Sequence, residues 1–165
     1  MYMLAILMIV GVIVTLAAVY DATTLTIPNW LSIALVGLFP VAVLLAGIDF
    51  TAIGVHVGIG LAALLAGMVL FAFHFIGGGD AKLFAAVSLY MGLPDVGTYL
   101  VYVAFVGGGL ALVLMMARRA ALMGISMDWF LRFTRGGSVI PYGIAIALGG
   151  LAVLPETQIF SAAFN

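Results

Sequence analysis

Long apolar stretches almost without charge are the feature that most restricts the fold of this chain. Hydrophobic residues make up 67% of the 165 residues, and there are only five basic and six acidic side chains. Soluble domains carry far more charge, whereas a membrane-spanning helix needs about 20 mainly apolar residues in a row. The sequence therefore predicts an all-α, polytopic membrane bundle, with residues 1–165 forming one integral membrane domain and no soluble domain.

Turn residues and charges divide the apolar sequence into six segments. The first segment reads as a retained span and not as a cleaved signal peptide, because no basic residues precede it. We expect a short fourth helix between Asp80 and the turn at Gly92. Residues 118–135 contain both arginines and aromatic residues, a mixture that predicts an interfacial helix. We expect residues 156–165 to form a short tail. The other five expected spans are 3–20, 28–47, 52–76, 96–117 and 138–154.

The segment Phe75–Leu83 is the most unusual part of the sequence, since three glycines and two opposite charges interrupt apolar residues. An ionisable side chain at bilayer depth costs about 2.5–3.5 kcal/mol on insertion scales, so Asp80 is a functional candidate. One interpretation is a helix that breaks at Gly77–Gly79 and restarts at Asp80, with backbone exposed to a substrate strand. The alternative is a tight turn in which Asp80 caps the next helix.

The basic residues predict the orientation in the membrane. With six spans, the loops after spans one, three and five share one side, and the positive-inside rule makes the side with the basic residues cytoplasmic and puts both termini outside. Asp21 and Asp80 fall on the same side. The short fourth helix also places Asp80 within the membrane or in a water-filled recess near one face. The basic residues on that side are Lys82, Arg118, Arg119, Arg132 and Arg135.

The residue types present favour carboxylate chemistry. The chain has no cysteine, which excludes disulfides, thiol nucleophiles and Cys-ligated metal, and it has no basic tract typical of nucleic-acid binding. His56 and His74 read as packed or interfacial residues, and no metal or other cofactor is expected. Two aspartates that meet cannot both ionise easily, so one keeps a proton. That is the aspartic-protease arrangement.

Three motifs together resemble those of a known family. They are Asp21 followed by Ile27-Pro28-Asn29, then Gly77-Gly78-Gly79-Asp80-Ala81-Lys82-Leu83, and finally Pro141-Tyr142-Gly143. The combination is similar to the prepilin peptidases, membrane aspartic peptidases of the GxGD type. It is most similar to their short form, which serves tight-adherence (Flp-type) pili, and it is related to the archaeal preflagellin peptidases. The resemblance covers essentially the whole chain.

The resemblance implies cleavage of the short basic leader of type IV pilin-like precursors at the cytoplasmic face of the cell membrane. It also implies that Asp21 and Asp80 are the catalytic pair, that Gly77 and Gly79 are the fixed glycines of the motif, and that Lys82 holds its basic position. The partners it implies are the prepilin substrate and the lipid bilayer. Longer relatives also N-methylate their product and carry a cysteine-containing loop that this chain lacks, so no methyltransferase activity is expected.

Several site residues have a simpler structural interpretation beside the functional one. Lys82 either snorkels to the interface or acts on Asp80 or on an acidic residue of the substrate. Pro28 and Asn29 start the second helix, and Asn29 is a candidate hydrogen-bond partner of the two aspartates. Pro141 sets the entry of the last span, and Tyr142 is a candidate lining residue of the recess.

Two other classes of function fit part of the sequence. A helix broken at glycines beside a carboxylate also occurs in secondary transporters, so a small ion-coupled transporter or channel subunit is the main alternative. A structural subunit of a pilus or secretion machine is the other. It leaves the two aspartates without a role.

Overall fold

The structure is a computed structural model that describes residues 2–122 and 140–161. Within these ranges the chain is all helical and contains no strand. A 3₁₀ turn, Leu154–Glu156, precedes the last short helix. The helices, numbered in chain order, are α1 (Tyr2–Thr24), α2 (Asn29–Ala46), α3 (Phe50–Ala72), α4 (Gly78–Ser88), α5 (Leu93–Leu122), α6 (Tyr142–Val153) and α7 (Gln158–Ser161).

The described helices fall into two groups by length. Helices α1, α2, α3 and α5 are long and apolar enough to cross a membrane. Helices α4 and α6 have only 11 and 12 residues, so four of the six predicted spans are found and the other two are short helices. The short fourth helix after a glycine-rich break is confirmed. The interfacial helix predicted for residues 118–135 lies mostly outside the described residues, and its first part, to Leu122, continues α5.

Helix α1 is longer than predicted and includes Asp21. The hydroxyl groups of Thr23 and Thr24 donate to the carbonyl oxygens of Val19 and Tyr20, both one turn earlier, at 2.7 and 2.8 Å. Their polar groups are therefore satisfied within the helix, and these residues do not end it. Asp21 consequently lies in a regular helical turn and not in the connection to α2.

Helix α4 begins two residues earlier than predicted, at Gly78. The break in the helical path spans residues 73–77, where His74 has a left-handed backbone with φ of +60°. Asp80 lies in the first turn of α4, and its Oδ2 accepts a hydrogen bond from the Gly77 N–H at 3.0 Å. Asp80 therefore caps the helix, as the alternative interpretation of the glycine segment proposed.

The short helix α4 packs against α2, α3 and α6, so it is surrounded by the bundle. Its contact with α3 is close because the buried positions of α3 include Gly60, Ala63 and Gly67. A Cβ atom on Gly67 would lie 3.1 Å from the Ala81 Cα. Small residues at these positions let the two helices pack closely, as is common between membrane helices.

The segment after α6 is not the simple tail predicted from sequence. Phe160 of α7 is fully buried and stacks on Tyr90, with ring centroids 5.8 Å apart. The Tyr90 hydroxyl donates to the Leu35 carbonyl oxygen at 2.6 Å. These contacts fix the end of the described chain against the same end of the bundle as the α4–α5 turn.

The close contact of α3 with α4 predicts a site-specific loss of stability. Gly67→Leu places a side chain against the Ala81 backbone and should destabilise the protein by about 1–3 kcal/mol through overpacking. Gly58→Leu is the matched control, because nothing lies within 4 Å of a Cβ there. Thermal unfolding in detergent should show a lower midpoint for Gly67→Leu only. Equal midpoints would contradict the packing described.

Candidate active site

Two carboxyl groups from different helices line one cavity. Asp21 comes from the last turn of α1 and Asp80 from the first turn of α4, and they are only 3% and 7% exposed. The cavity has a volume of about 260 Å³, and we call it the carboxyl cavity. Its other lining residues are Leu25, Thr26, Ile27, Gly77, Gly78 and Gly79. The expectation that these aspartates share one end of the bundle therefore agrees with the structure.

The hydrogen bonding of the two carboxyl groups is incomplete. Asp80 Oδ2 is bonded to the Gly77 N–H, but Asp21 Oδ2 and Asp80 Oδ1 are buried with no hydrogen-bond partner among the described residues. Buried polar atoms without partners are rare and costly. Each carboxyl group thus has one oxygen whose hydrogen-bonding capacity is not used by the described residues.

The start of helix α6 is directed at both carboxyl groups. Pro141 is the N-cap residue, and the backbone N–H groups of Gly143 and Ile144 face Asp21; the Gly143 N–H also faces Asp80. A Cβ atom on Gly143 would lie 2.7 Å from Asp21 Oδ2. Glycine is therefore required here so that the backbone can approach the carboxyl group.

A second close approach holds the α1–α2 connection over α4. A Cβ atom on Gly79 would lie 3.1 Å from the Ile27 Cβ and 3.3 Å from its carbonyl oxygen. None of the three glycines in this segment has a positive φ. The role of Gly79 is therefore to leave space for Ile27, and none of the three glycines is needed to allow a left-handed backbone.

Two residues with strained backbone lie in the segments that lead to the cavity. Leu25, which lines it, and His74, which precedes the glycines, have left-handed φ angles of +54° and +60°. This conformation costs a residue with a side chain roughly 1–2 kcal/mol. Such strain is typical of segments whose position is set by a site.

The electrostatics of the cavity favour a single negative charge. The charges of Asp21 and Asp80 repel each other, so a state with one proton shared by the pair is preferred over two carboxylates. Helices α4 and α6 both direct their positive N-terminal ends at the pair, which stabilises one carboxylate in an otherwise apolar interior. This arrangement suits general acid–base chemistry on a bound molecule.

Four further candidate residues lie near the carboxyl cavity but do not line it. Lys82 Nζ donates to Asn29 Oδ1 at 2.8 Å, so Asn29 pairs with the lysine and not with the aspartates as the sequence suggested. Pro28 is the N-cap of α2. The Tyr142 ring lies beside Gly107 of α5, because the first turn of α6 directs its backbone, and not this side chain, at the carboxyl groups.

No metal-binding cluster of three or more His, Cys, Asp or Glu side chains occurs within residues 2–122 and 140–161. His56 is buried, and its Nδ1 lies 2.9 Å from the Leu89 carbonyl oxygen, outside the carboxyl cavity. The roles of Gly143 and Ile27 were not predicted from the sequence, although both residues lie in the motifs that resemble those of the family. Their importance depends on contacts between distant segments, which residue spacing does not reveal.

Comparison with known protein families gives a match over most of the chain. The model of the type IV leader peptidase family matches residues 8–116, a stretch that includes both Asp21 and Asp80. No significant match was found among curated proteins or solved structures. The family match covers about two thirds of the sequence and agrees with the resemblance seen in the motifs. The chain belongs to the type IV leader peptidase family.

Proposed function

We propose that this protein is an aspartic endopeptidase that removes the short basic leader from type IV pilin-like precursors of the Flp type. The observation that carries the proposal is the pair of buried carboxyl groups in one cavity, each with an unpaired oxygen. Membership of a leader peptidase family supports the reaction class. The motif pattern supports the substrate class.

The proposed reaction uses one proton held between Asp21 and Asp80. The ionised carboxylate takes a proton from water as the water oxygen attacks the peptide carbonyl carbon, and the protonated carboxyl gives its proton to the carbonyl oxygen. A tetrahedral diol forms. The protonated carboxyl then gives its proton to the amide nitrogen, and the other carboxylate takes a proton from one diol hydroxyl. The C–N bond breaks, a carboxylic acid and an amine are released, and the pair again holds one proton.

Helix α6 has a defined part in this mechanism. Its Gly143 and Ile144 N–H groups face the carboxyl pair, so they stabilise the negative charge that remains on it throughout the reaction. The close approach of Gly143 to Asp21 also fixes the position of that side chain. Proper placement of a reacting group contributes several kcal/mol to catalysis.

The direction of the helices supports an active site at the cytoplasmic membrane face. Lys82 lies two residues after Asp80 on α4. Arg118 and Arg119 lie in the last turns of α5, where this helix returns to the side of the bundle that holds the carboxyl cavity. Positive residues concentrate on the cytoplasmic side of membrane proteins. We therefore propose that substrate is cleaved at that face.

We further propose that the protein cleaves without N-methylating its product. The absence of cysteine from the sequence supports this, since the bifunctional relatives that the motifs resemble carry a cysteine-containing loop. The transporter alternative has less support. Coupling-ion sites of transporters lie near the middle of the membrane. Here Asp21 lies in the last turn of the long helix α1, and the carboxyl pair is therefore near one end of the bundle.

Removing either acid should abolish cleavage. Asp21→Asn and Asp80→Asn keep the side-chain shape but cannot share the proton, so the rate should fall at least about 100-fold. The assay is the leader-sized mass loss of a Flp-type precursor incubated with purified protein in liposomes. Asp95→Asn, in the first turn of α5 at the other end of the bundle, is the control. Normal cleavage by both active-site variants would overturn the proposed function.

Adding one methyl group at Gly143 should impair catalysis. In Gly143→Ala the new Cβ meets Asp21 Oδ2 and the Ile27 Cδ1 at 2.7 Å, so the carboxyl group must move, and we expect kcat to fall about 100-fold. Gly107→Ala is the matched control, because its Cβ would contact the same helix at 3.5 Å, an ordinary distance. Equal kcat values for the two variants would contradict the role given to Gly143.

The same assay tests the proposed lack of methylation. With S-adenosylmethionine present, the mature product should keep the mass of an unmodified N-terminal amine. A gain of one methyl group in the presence of the purified protein alone would show that the protein has the second activity.

A further inference from the structure

A second cavity lies on the other side of α4, between α2 and α3. Its volume is about 680 Å³, and its walls include Ile33, Val36, Val57 and Leu61. Helix α2 packs on α1 and α4, and α3 packs chiefly on α4, so the facing sides of α2 and α3 stay apart with α4 between them. Ile33 and Leu61 are exposed at the surface. The cavity, which we call the α2–α3 groove, therefore opens toward the surrounding lipid.

The α2–α3 groove is polar at one end, where Asn29, Ser32 and Lys82 line it, and apolar elsewhere. The Lys82 ammonium donates to Asn29 Oδ1, and it contacts no carboxylate among the described residues. Ser32 is buried, and its Oγ has no hydrogen-bond partner within the described ranges. An occupant with an acceptor group and a negative charge at this end would satisfy both side chains.

The polar end of the groove lies close to the carboxyl cavity. Asp80 and Lys82 are two residues apart on α4, which places them about 3 Å apart along the helix axis and on opposite sides of the helix. A peptide extended at about 3.3 Å per residue crosses the roughly 10 Å width of a helix in three or four residues. A chain whose scissile carbonyl lies at Asp80 therefore reaches Lys82 about four residues later.

The length of the groove fits one face of a helix. Along α2 it extends from Asn29 to Pro40, which at 1.5 Å per residue is about 16 Å, or three helical turns. This is about half of the hydrocarbon thickness of a bilayer. A helix that enters the groove at its polar end would be held over its first three turns and would continue into lipid.

We propose that the α2–α3 groove binds the apolar helix that follows the cleavage site of the substrate. In this complex Lys82, together with Ser32, holds a carboxylate in the first residues of that helix. The inference rests on the proposed function, because the helix in the groove and the peptide at the carboxyl cavity would belong to the same substrate chain. A lipid tail has no such connection to Asp80.

Filling the groove tests where the helix binds. Val36→Trp puts a bulky side chain into the groove, whereas Leu44→Trp places it at a lipid-facing position of α2 that does not line the groove. For a full precursor we expect Val36→Trp to raise KM at least about tenfold with kcat little changed, and Leu44→Trp to have no effect. A short soluble peptide that contains only the cleavage site should be cut equally by both variants and the unmodified protein.

The outcomes separate the two proposals. If the unmodified protein cuts neither substrate, the proposed function fails. If it cuts the precursor but Val36→Trp leaves KM unchanged, the α2–α3 groove is not the docking site and the inference is overturned. A photo-crosslinking residue at position 36 in Asp80→Asn protein gives a second measurement. Crosslinks to the precursor helix support the inference, and crosslinks to lipid alone in the presence of precursor contradict it.

A charge exchange tests the role of Lys82. Lys82→Glu should raise KM at least about tenfold for a precursor with an acidic residue near the fourth position after the cleavage site, because two negative charges then meet. A precursor with lysine at that position should recover most of the loss with this variant and should be cut poorly by the unmodified protein. Equal losses on both precursors would assign Lys82 a purely structural role and overturn the inference.

Discussion

Placing two carboxyl groups inside an apolar bundle is the physical constraint on which the rest of this structure depends. A buried, unpaired charge is far too costly for a small membrane protein to hold without compensation. Here the compensation comes from the backbone: α4 and α6 begin at the pair, and Gly143 brings its N–H close to Asp21. In the proposed mechanism, one proton shared by the pair limits the remaining charge to one.

This constraint accounts for the form of helix α4. The helix must begin inside the bundle so that Asp80 reaches Asp21, and it is therefore short, with 11 residues. Its two sides have different surroundings, the carboxyl cavity on one and the α2–α3 groove on the other. The small residues of α3, such as Gly67, let α4 sit deep without a wide gap. In the proposed function, one helix serves both cleavage and the recognition of an apolar segment.

The sequence predicted the helical class, the short fourth helix and the placement of Asp21 and Asp80 on the same side of the membrane, because these depend on hydropathy, turn residues and loop parity. It did not predict that α1 continues to Thr24, since side-chain hydrogen bonds to the preceding turn keep that segment helical. The pairing of Asn29 with Lys82 was also missed. The close approach of Gly143 to Asp21 was missed as well. Such contacts join residues far apart in the chain and leave no periodic pattern in the sequence.

The central claim is that Asp21 and Asp80 act as one unit. The most direct measurement is kcat/KM for a precursor with Asp21→Asn, Asp80→Asn and the double variant, each normalised to folded protein. When two residues act in the same step, removing either one already removes that step. The kcat/KM of the double variant should therefore be within a few-fold of that of the slower single variant. Losses that multiply in the double variant would show two independent contributions and contradict the account.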